Sequence, residues 1–283
     1  MLIPGATGPH MRRVLLAVAG LSALGCGPDA ESPTGPAAPA SLATATATAT
    51  LVFRQISAGD HHTCGVTTDH RAYCWGSDST GQLGDGGTTN RGRPTPVAGG
   101  LLFLEVYAGG AHSCGITTAN KAYCWGSNSA GQLGDGTTTE RHRPVAVANG
   151  SFVQIRAGYK HTCAVRSTNV AFCWGDNTFG QLGDNSKTRR LKPVQVAGGL
   201  HFLRLTAGAI HSCGIATDNH GYCWGKNGFG ELGDGTLSTR LKPTAVAGGR
   251  SWRQIWAGSS FLVKWTGRRF MPWFDSLTQG RAR

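Results

Sequence analysis

An all-β fold, a propeller of short repeated blades, is the class this sequence predicts, and three observations predict it. The stretch His62-Thr63-Cys64, nine further residues, Cys74-Trp75-Gly76 and then Gly81-Gln82-Leu83-Gly84-Asp85 returns three times. It reappears as His112-Ser113-Cys114 to Cys124-Trp125-Gly126, as His161-Thr162-Cys163 to Cys173-Trp174-Gly175, and as His211-Ser212-Cys213 to Cys223-Trp224-Gly225. The first cysteines stand 50, 49 and 50 residues apart, a period that belongs to arrays in which each unit leans on its neighbours. Each unit also carries four short β-like runs and no helical period, the strand count of one propeller blade. Glycine, finally, supplies 43 of 283 residues, and it recurs at fixed offsets, which marks turns and not a low-complexity tract.

Taken in order, residues 1–25 read as a secretory signal. Met11-Arg12-Arg13 is a short basic head, and the apolar run from Val14 to Leu24 is too short for the ~20 residues that span a bilayer. That geometry puts the true start at Met11. The run ends Leu21-Ser22-Ala23-Leu24-Gly25-Cys26, which resembles a bacterial lipoprotein cleavage box with Cys26 as the residue to be acylated, although Ala23 stands where such boxes favour leucine. Residues 26–50 are rich in Ala, Thr, Pro and Ser and read as a tether that cannot bury a core. Residues 51–258 are the repeat array, and residues 259–283 are a degenerate basic tail.

Charge follows this division. The formal net charge is +12, but residues 51–249 hold 18 basic and 12 acidic residues, and residues 250–283 hold 7 against 1. This describes a mildly basic soluble surface and gives no reason to expect a nucleic-acid partner.

Within a unit, taking Ile56 to Val106, Ala58-Gly59 opens the repeat. Two β-like runs follow, Thr63 to Thr67 and Ala72 to Trp75. The residue six beyond the first cysteine is His70, Asn120, Asn169 or Asn219. Asn and His tolerate a left-handed backbone, so a three-residue loop ending there closes a hairpin. Residues equidistant from position 69 then face each other, which sets Cys64 against Cys74 at ~4.5–5.5 Å between Cα atoms, within disulfide reach. The same offset pairs Cys114 with Cys124, Cys163 with Cys173 and Cys213 with Cys223, and leaves Cys26 over. Such a framework belongs to an oxidising compartment. Zinc is a poor alternative, because a Cys-x9-Cys spacing within strands is not a ligand pattern. Beyond Trp75-Gly76 come polar turns with Leu83 as a buried plug, then a basic stretch at Arg91-Gly92-Arg93-Pro94. An apolar strand is expected at Pro96-Val97-Ala98 and a fourth at Phe103 to Val106.

Ala-Gly-x-x-His-Ser/Thr-Cys, a turn, Tyr/Phe-Cys-Trp-Gly and Gly-Gln-Leu-Gly-Asp together resemble the RCC1 (regulator of chromosome condensation) repeat, in the form with paired cysteines found in secreted bacterial members. The resemblance runs from about Phe53 to Gly258 and implies a propeller of seven ~50-residue blades. Here four repeats are complete and a fifth opens at Trp252 to Gly258, after which Ser259 to Trp265 lacks the histidine and both cysteines. The expectation is a truncated or frame-shifted reading of a longer gene; the alternatives are an open arc, or assembly with another chain that covers the open blade edges.

Members of the family act through their loops, some exchanging guanine nucleotide on a GTPase and a secreted bacterial type clasping β-lactamases. A signal and disulfides lead away from nuclear exchange. The expected function is a non-catalytic, extracytoplasmic protein-binding scaffold, touching membrane only through a lipid on Cys26 and presenting Arg91, Arg93, Arg141, Arg143, Arg189 and Arg190 to a protein partner. An extracytoplasmic enzyme acting on glycan or peptide is one alternative, and it calls for a polar cleft with non-repeated acids; a fragment of a longer RCC1-repeat protein with no function of its own is the other. No cofactor and no metal is expected. The histidines His62, His112, His161 and His211 read as inter-blade hydrogen-bonding groups, and the tryptophans as inter-blade packing.

Overall fold

The computed structural model describes residues 50–249 and 251–258 and the backbone of Leu262–Trp265. The signal, Cys26, nearly all of the tether and most of the tail lie outside the described residues. All regular elements among the described residues are strands. The first sheet is β1 (Phe53–Ala58), β2 (His62–Thr67), β3 (Ala72–Gly76) and β4 (Arg91–Pro96). The second is β5 (Phe103–Ala108), β6 (His112–Thr117), β7 (Lys121–Gly126) and β8 (Arg141–Ser151). The third is β9 (Gln154–Ala157), β10 (His161–Val165), β11 (Ala171–Gly175) and β12 (Arg190–Gln195). The fourth is β13 (Phe202–Ala207), β14 (His211–Ala216), β15 (Gly221–Gly225) and β16 (Arg240–Ala245). β17 (Gln254–Ala257) and β18 (Leu262–Trp265) pair as the start of a fifth. Each sheet is an antiparallel meander, so the chain is a run of β-propeller blades.

Two strand placements differ from expectation. Phe103–Ala108 pairs with β6 and is the first strand of the second blade, not the last of the first. The fourth strand of the first blade is the Arg-Pro stretch Arg91–Pro96, pairing Thr95 with Cys74 and Arg91 with Gly76, whereas Val97 and Ala98 lie beyond it. Proline is tolerated there because β4 is an edge strand whose outward positions need no ladder N–H.

The hairpin between β2 and β3 forms as its loop residues dictate. His70 adopts φ 66°, with Asn120, Asn169 and Asn219 at 56°, 62° and 63°. The Thr67 N–H donates to Arg71 O, and the His70 N–H donates to Thr67 O. The first of these bonds makes 67 and 71 a hydrogen-bonded pair, so by alternation Cys64 and Cys74 form a non-hydrogen-bonded pair, the closer kind. Their Cα atoms stand 4.1 Å apart, and all four bridges repeat that distance. The carbonyl of the left-handed residue also ties the next blade on, accepting from Phe103 N–H at 2.7 Å and, at later junctions, from Phe152, Phe202 and Trp252.

The cores lie between blades. Cys64, Val66, Cys74 and Leu83 pack against Phe103, Val106 and Trp125 of the next blade. The same grouping joins the second blade to Phe152, Ile155 and Trp174, and the third to Phe202, Leu205 and Trp224. The bridged sulfurs therefore serve as core atoms as well as staples.

Candidate functional site

Each of the first three junctions is built round one backbone carbonyl. Gln82 O accepts from the Ser113 hydroxyl at 2.8 Å and from the Trp125 indole N–H at 3.0 Å, both on the next blade. Gln132 O and Gln181 O take the same two bonds from Thr162 and Trp174 and from Ser212 and Trp224. Each hydroxyl also meets the preceding blade's histidine: His62 Nε2 to Ser113 at 2.8 Å, His112 to Thr162 at 2.9 Å, His161 to Ser212 at 2.9 Å. Because the hydroxyl hydrogen goes to the carbonyl, the imidazole donates through Nε2–H and Nδ1 carries a lone pair. Burial pushes His62 down to about 4 and His112 to about 3, each with a neighbouring histidine adding to the effect, so these rings are neutral. The indole fits because Gly84, at φ 72°, leaves space: a Cβ there would stand 2.6 Å from Trp125 Nε1. The histidines and tryptophans are thus structural parts of the junction.

The arginines divide into two rows. Arg91, Arg141 and Arg190 turn back on the Gly-Asp turn of their own repeat, meeting Asp85, Asp135 and Asp184 at 2.8, 2.9 and 2.8 Å; Arg240 does the same with Asp234. Burial alone would raise the Asp135 carboxyl, but the Thr137 hydroxyl and amide and the Arg141 guanidinium outweigh it and hold it below the ordinary range. Arg93 and Arg143 are exposed two residues on, and the repeat places Lys192 and Lys242 with them, both exposed. Arg143 and Lys192 lie across Gly86 and Gly136 of the preceding blade. Arg189 belongs to neither row and donates to Ser129 O at 3.1 Å.

Sequence reasoning missed a non-repeated cluster in the loops that join the third strand of a blade to the fourth, at the same end as the arginines. Where the first two repeats have Thr80 and Ala130, the third and fourth have Phe179 and Phe229. Phe229 is 76% exposed. The Lys226 ammonium lies 5.5 Å from the Phe179 ring and 5.4 Å from the Phe229 ring, joining the two blades' loops. Tyr159, also exposed, stands over Gly110 of the second blade. The signal was present as two phenylalanines in an otherwise small polar turn, but only exposure separates it from core.

The first strands β1, β5, β9, β13 and β17 line a cavity of about 310 Å³ with Tyr107, Arg156, Arg204, Thr206, Gln254 and Trp256 among its walls. Arg156 stacks on Tyr107 at 4.0 Å and reaches Glu105 at 3.5 Å. The lining mixes the repeated Ala58, Ala108, Ala157 and Ala207 with these non-repeated side chains, and its titratable side chains are basic and phenolic. Among the described residues no three His, Cys, Asp or Glu side chains gather to hold a metal.

Comparison with known proteins decides the family. The RCC1-like domain matches residues 17–271. The chain belongs to that family. A search of curated proteins finds no match. Among solved structures the RCC1-like domain is similar to human WBSCR16, with TM-score 0.69, 21% identity, and coverage of 76% of this chain and 58% of that one. It is similar also to yeast RCC1 (Prp20) bound by Kap60, with TM-score 0.67, 21% identity, and coverage of 76% and 55%. Prp20p of Saccharomyces cerevisiae, described with its binding to Gsp1p and histones, gives TM-score 0.65, 21% identity, and coverage of 76% and 57%. The chain therefore spans a little over half the length of these relatives, and the likeness is one of fold.

Proposed function

We propose that this RCC1-like domain is a non-catalytic protein-binding scaffold outside the cytoplasm, secreted or held in the cell envelope by a lipid on Cys26. The observation that carries the reading is the Phe179–Lys226–Phe229 cluster, an exposed Phe229 beside half-buried Phe179 and Lys226 on loops whose backbone is fixed by repeated hydrogen bonds. Exposed aromatics on a rigid frame are the usual anchors of protein interfaces. The bridges of all four complete blades favour an oxidising compartment. Prp20, which shares the fold, has protein partners.

The repeated cations Arg93, Arg143, Lys192 and Lys242 form a second surface for an acidic patch of a partner, and Arg189 adds to the charge. Arg91, Arg141 and Arg190 hold the loops that carry them. A further chain against the first blade is part of the same proposal: Trp75 is only half-buried, and among the described residues no carbonyl meets its indole N–H.

The test is affinity capture from an envelope extract with the wild-type chain beside Phe179→Ala/Phe229→Ala. Retention of one protein by the wild type and at least tenfold less by the variant supports the reading. Equal retention by both, or turnover of glycan or peptide by the purified chain, contradicts it.

A further inference from the structure

The four Gly-Asp loops share one fully buried position at which the first blade departs from the other three. In the second, third and fourth blades that position is Asn128, Asn177 and Asn227, all fully buried. Asn128 Oδ1 accepts from Leu133 N–H at 3.1 Å. Its amide nitrogen donates into a ring of oxygens: Asp135 Oδ1, Thr137 O, Thr137 Oγ1 and Thr139 O, at 3.0–3.2 Å. Asn177 and Asn227 repeat the ring with Asp184, Ser186 and Thr188 and with Asp234, Thr236 and Ser238.

In the first blade the position is Asp78, equally buried. Its Oδ1 accepts from Leu83 N–H at 2.8 Å, just as the asparagines do, so Oδ2 is left on the side where they carry the amide nitrogen. Oδ2 is buried and has no hydrogen-bond partner among the described residues. The second departure is in the same loop. Gly87 replaces Thr137, Ser186 and Thr236, whose hydroxyls each donate to the turn aspartate at 2.7–2.8 Å. Asp85 Oδ1 keeps the Gly87 N–H, at 2.8 Å, and its carboxyl stands beside that of Asp78. The loop has thus lost an amide donor and a hydroxyl donor, gained a carboxylate, and lost the side chain that filled the neighbouring space. Arg91 does not make up the difference, because it sits on Asp85 Oδ2 as its counterparts do in the other three blades.

We infer that the first blade's loop is a site for a hard divalent cation of calcium size, held by Asp78 Oδ2, Asp85 Oδ1 and the carbonyls of Gly87 and Thr89, the chain positions that supply oxygens in the other three loops. Calcium suits an all-oxygen, irregular set completed by water, whereas magnesium demands a near-octahedral one. Burial, followed by the charge of Asp85, raises the Asp78 carboxyl against the pull of the Leu83 amide, and a bound cation relieves both effects.

Calorimetric titration of the chelator-treated full chain with calcium tests this, with magnesium in parallel. The expected result is one saturable calcium site, a Tm raised by about 2–5 °C at saturation, and at least tenfold weaker binding of magnesium. Asp78→Asn, which installs the asparagine of the other three loops, should fold and lose the calcium response. Gly87→Thr, which refills the space, should weaken binding as an independent check. Absence of saturable calcium binding by the wild type overturns the inference. So does binding that survives in Asp78→Asn. Absence of binding together with a wild-type gain in stability over Asp78→Asn as pH falls from 7 to 5 assigns the place to a proton on Asp78 instead.

Discussion

The first three blade junctions and the fourth are made from the same sheets but not from the same bonds. At the first three, a histidine, a hydroxyl, a carbonyl and an indole close on one another. At the fourth, the register pairs Ala257 with Leu262 where it pairs Ala108 with Ser113, so Leu262 takes the register position of Ser113. Both ring nitrogens of His211 are buried without a partner among the described residues. Glu231 replaces the glutamine, and Val263 holds the place of the first cysteine. Strand pairing survives this, with β17 still beside β13 and Trp252 and Ile255 still in the core. Apolar contact and the bonds from the backbone N–H groups of Trp252, Ala209 and Ala257 are therefore enough to seat a blade without the histidine, hydroxyl and indole set.

The sharpest way to separate the two effects is at tryptophan. Trp174→Ala removes a fully buried indole and its bond to Gln132 O and should destabilise by about 3–5 kcal/mol. Trp75→Ala, on the half-buried outer face of the first blade, should cost about 1–2 kcal/mol. Equal losses in urea unfolding would show that the junction adds nothing. Removing one staple, as Cys163→Ala/Cys173→Ala, closes the same comparison from the blade interior. A bridge round so short a loop is expected to contribute about 2–3 kcal/mol, read as a shift in the urea midpoint.

The histidines divide the junction further. In the fold His62, His161 and His211 are pushed down to about 4 and His112 to about 3, chiefly by burial. The unfolded chain takes up these protons below about pH 6.5 while the fold does not, so stability is full above that pH and falls as pH drops toward 4. His112→Phe and His211→Phe should flatten that slope by similar amounts. At pH 7.5 they should differ, with His112→Phe costing about 1 kcal/mol more because only it gives up a hydrogen bond. Smallest of all, Arg143→Ala should change stability by less than about 0.5 kcal/mol, since its side chain is exposed and only crosses a loop.

Much of this was legible before any coordinates. The ten-residue cysteine offset and the His or Asn six residues beyond the first cysteine gave the hairpin, the bridge and the left-handed turn from backbone geometry alone. The assignment of Phe103–Ala108 was not legible, because adjacency along the chain does not say which sheet a strand joins. The arginines show a different failure. Asp85 and Arg91 stand six residues apart in every repeat, yet a carboxylate in a Gly-Asp turn reads as turn chemistry until the fold brings the guanidinium back onto it. Phe179 and Phe229 could not be separated from core phenylalanines such as Phe202 by residue type.

The account rests on blades that are each tied across their own hairpin outside the cytosol. Thiol titration of the unreduced chain, exported by its own host and denatured before assay, tests this most directly. None of the eight array cysteines should react, leaving Cys26 as the one candidate thiol. Eight reactive sulfhydryls would contradict both the bridges and the compartment.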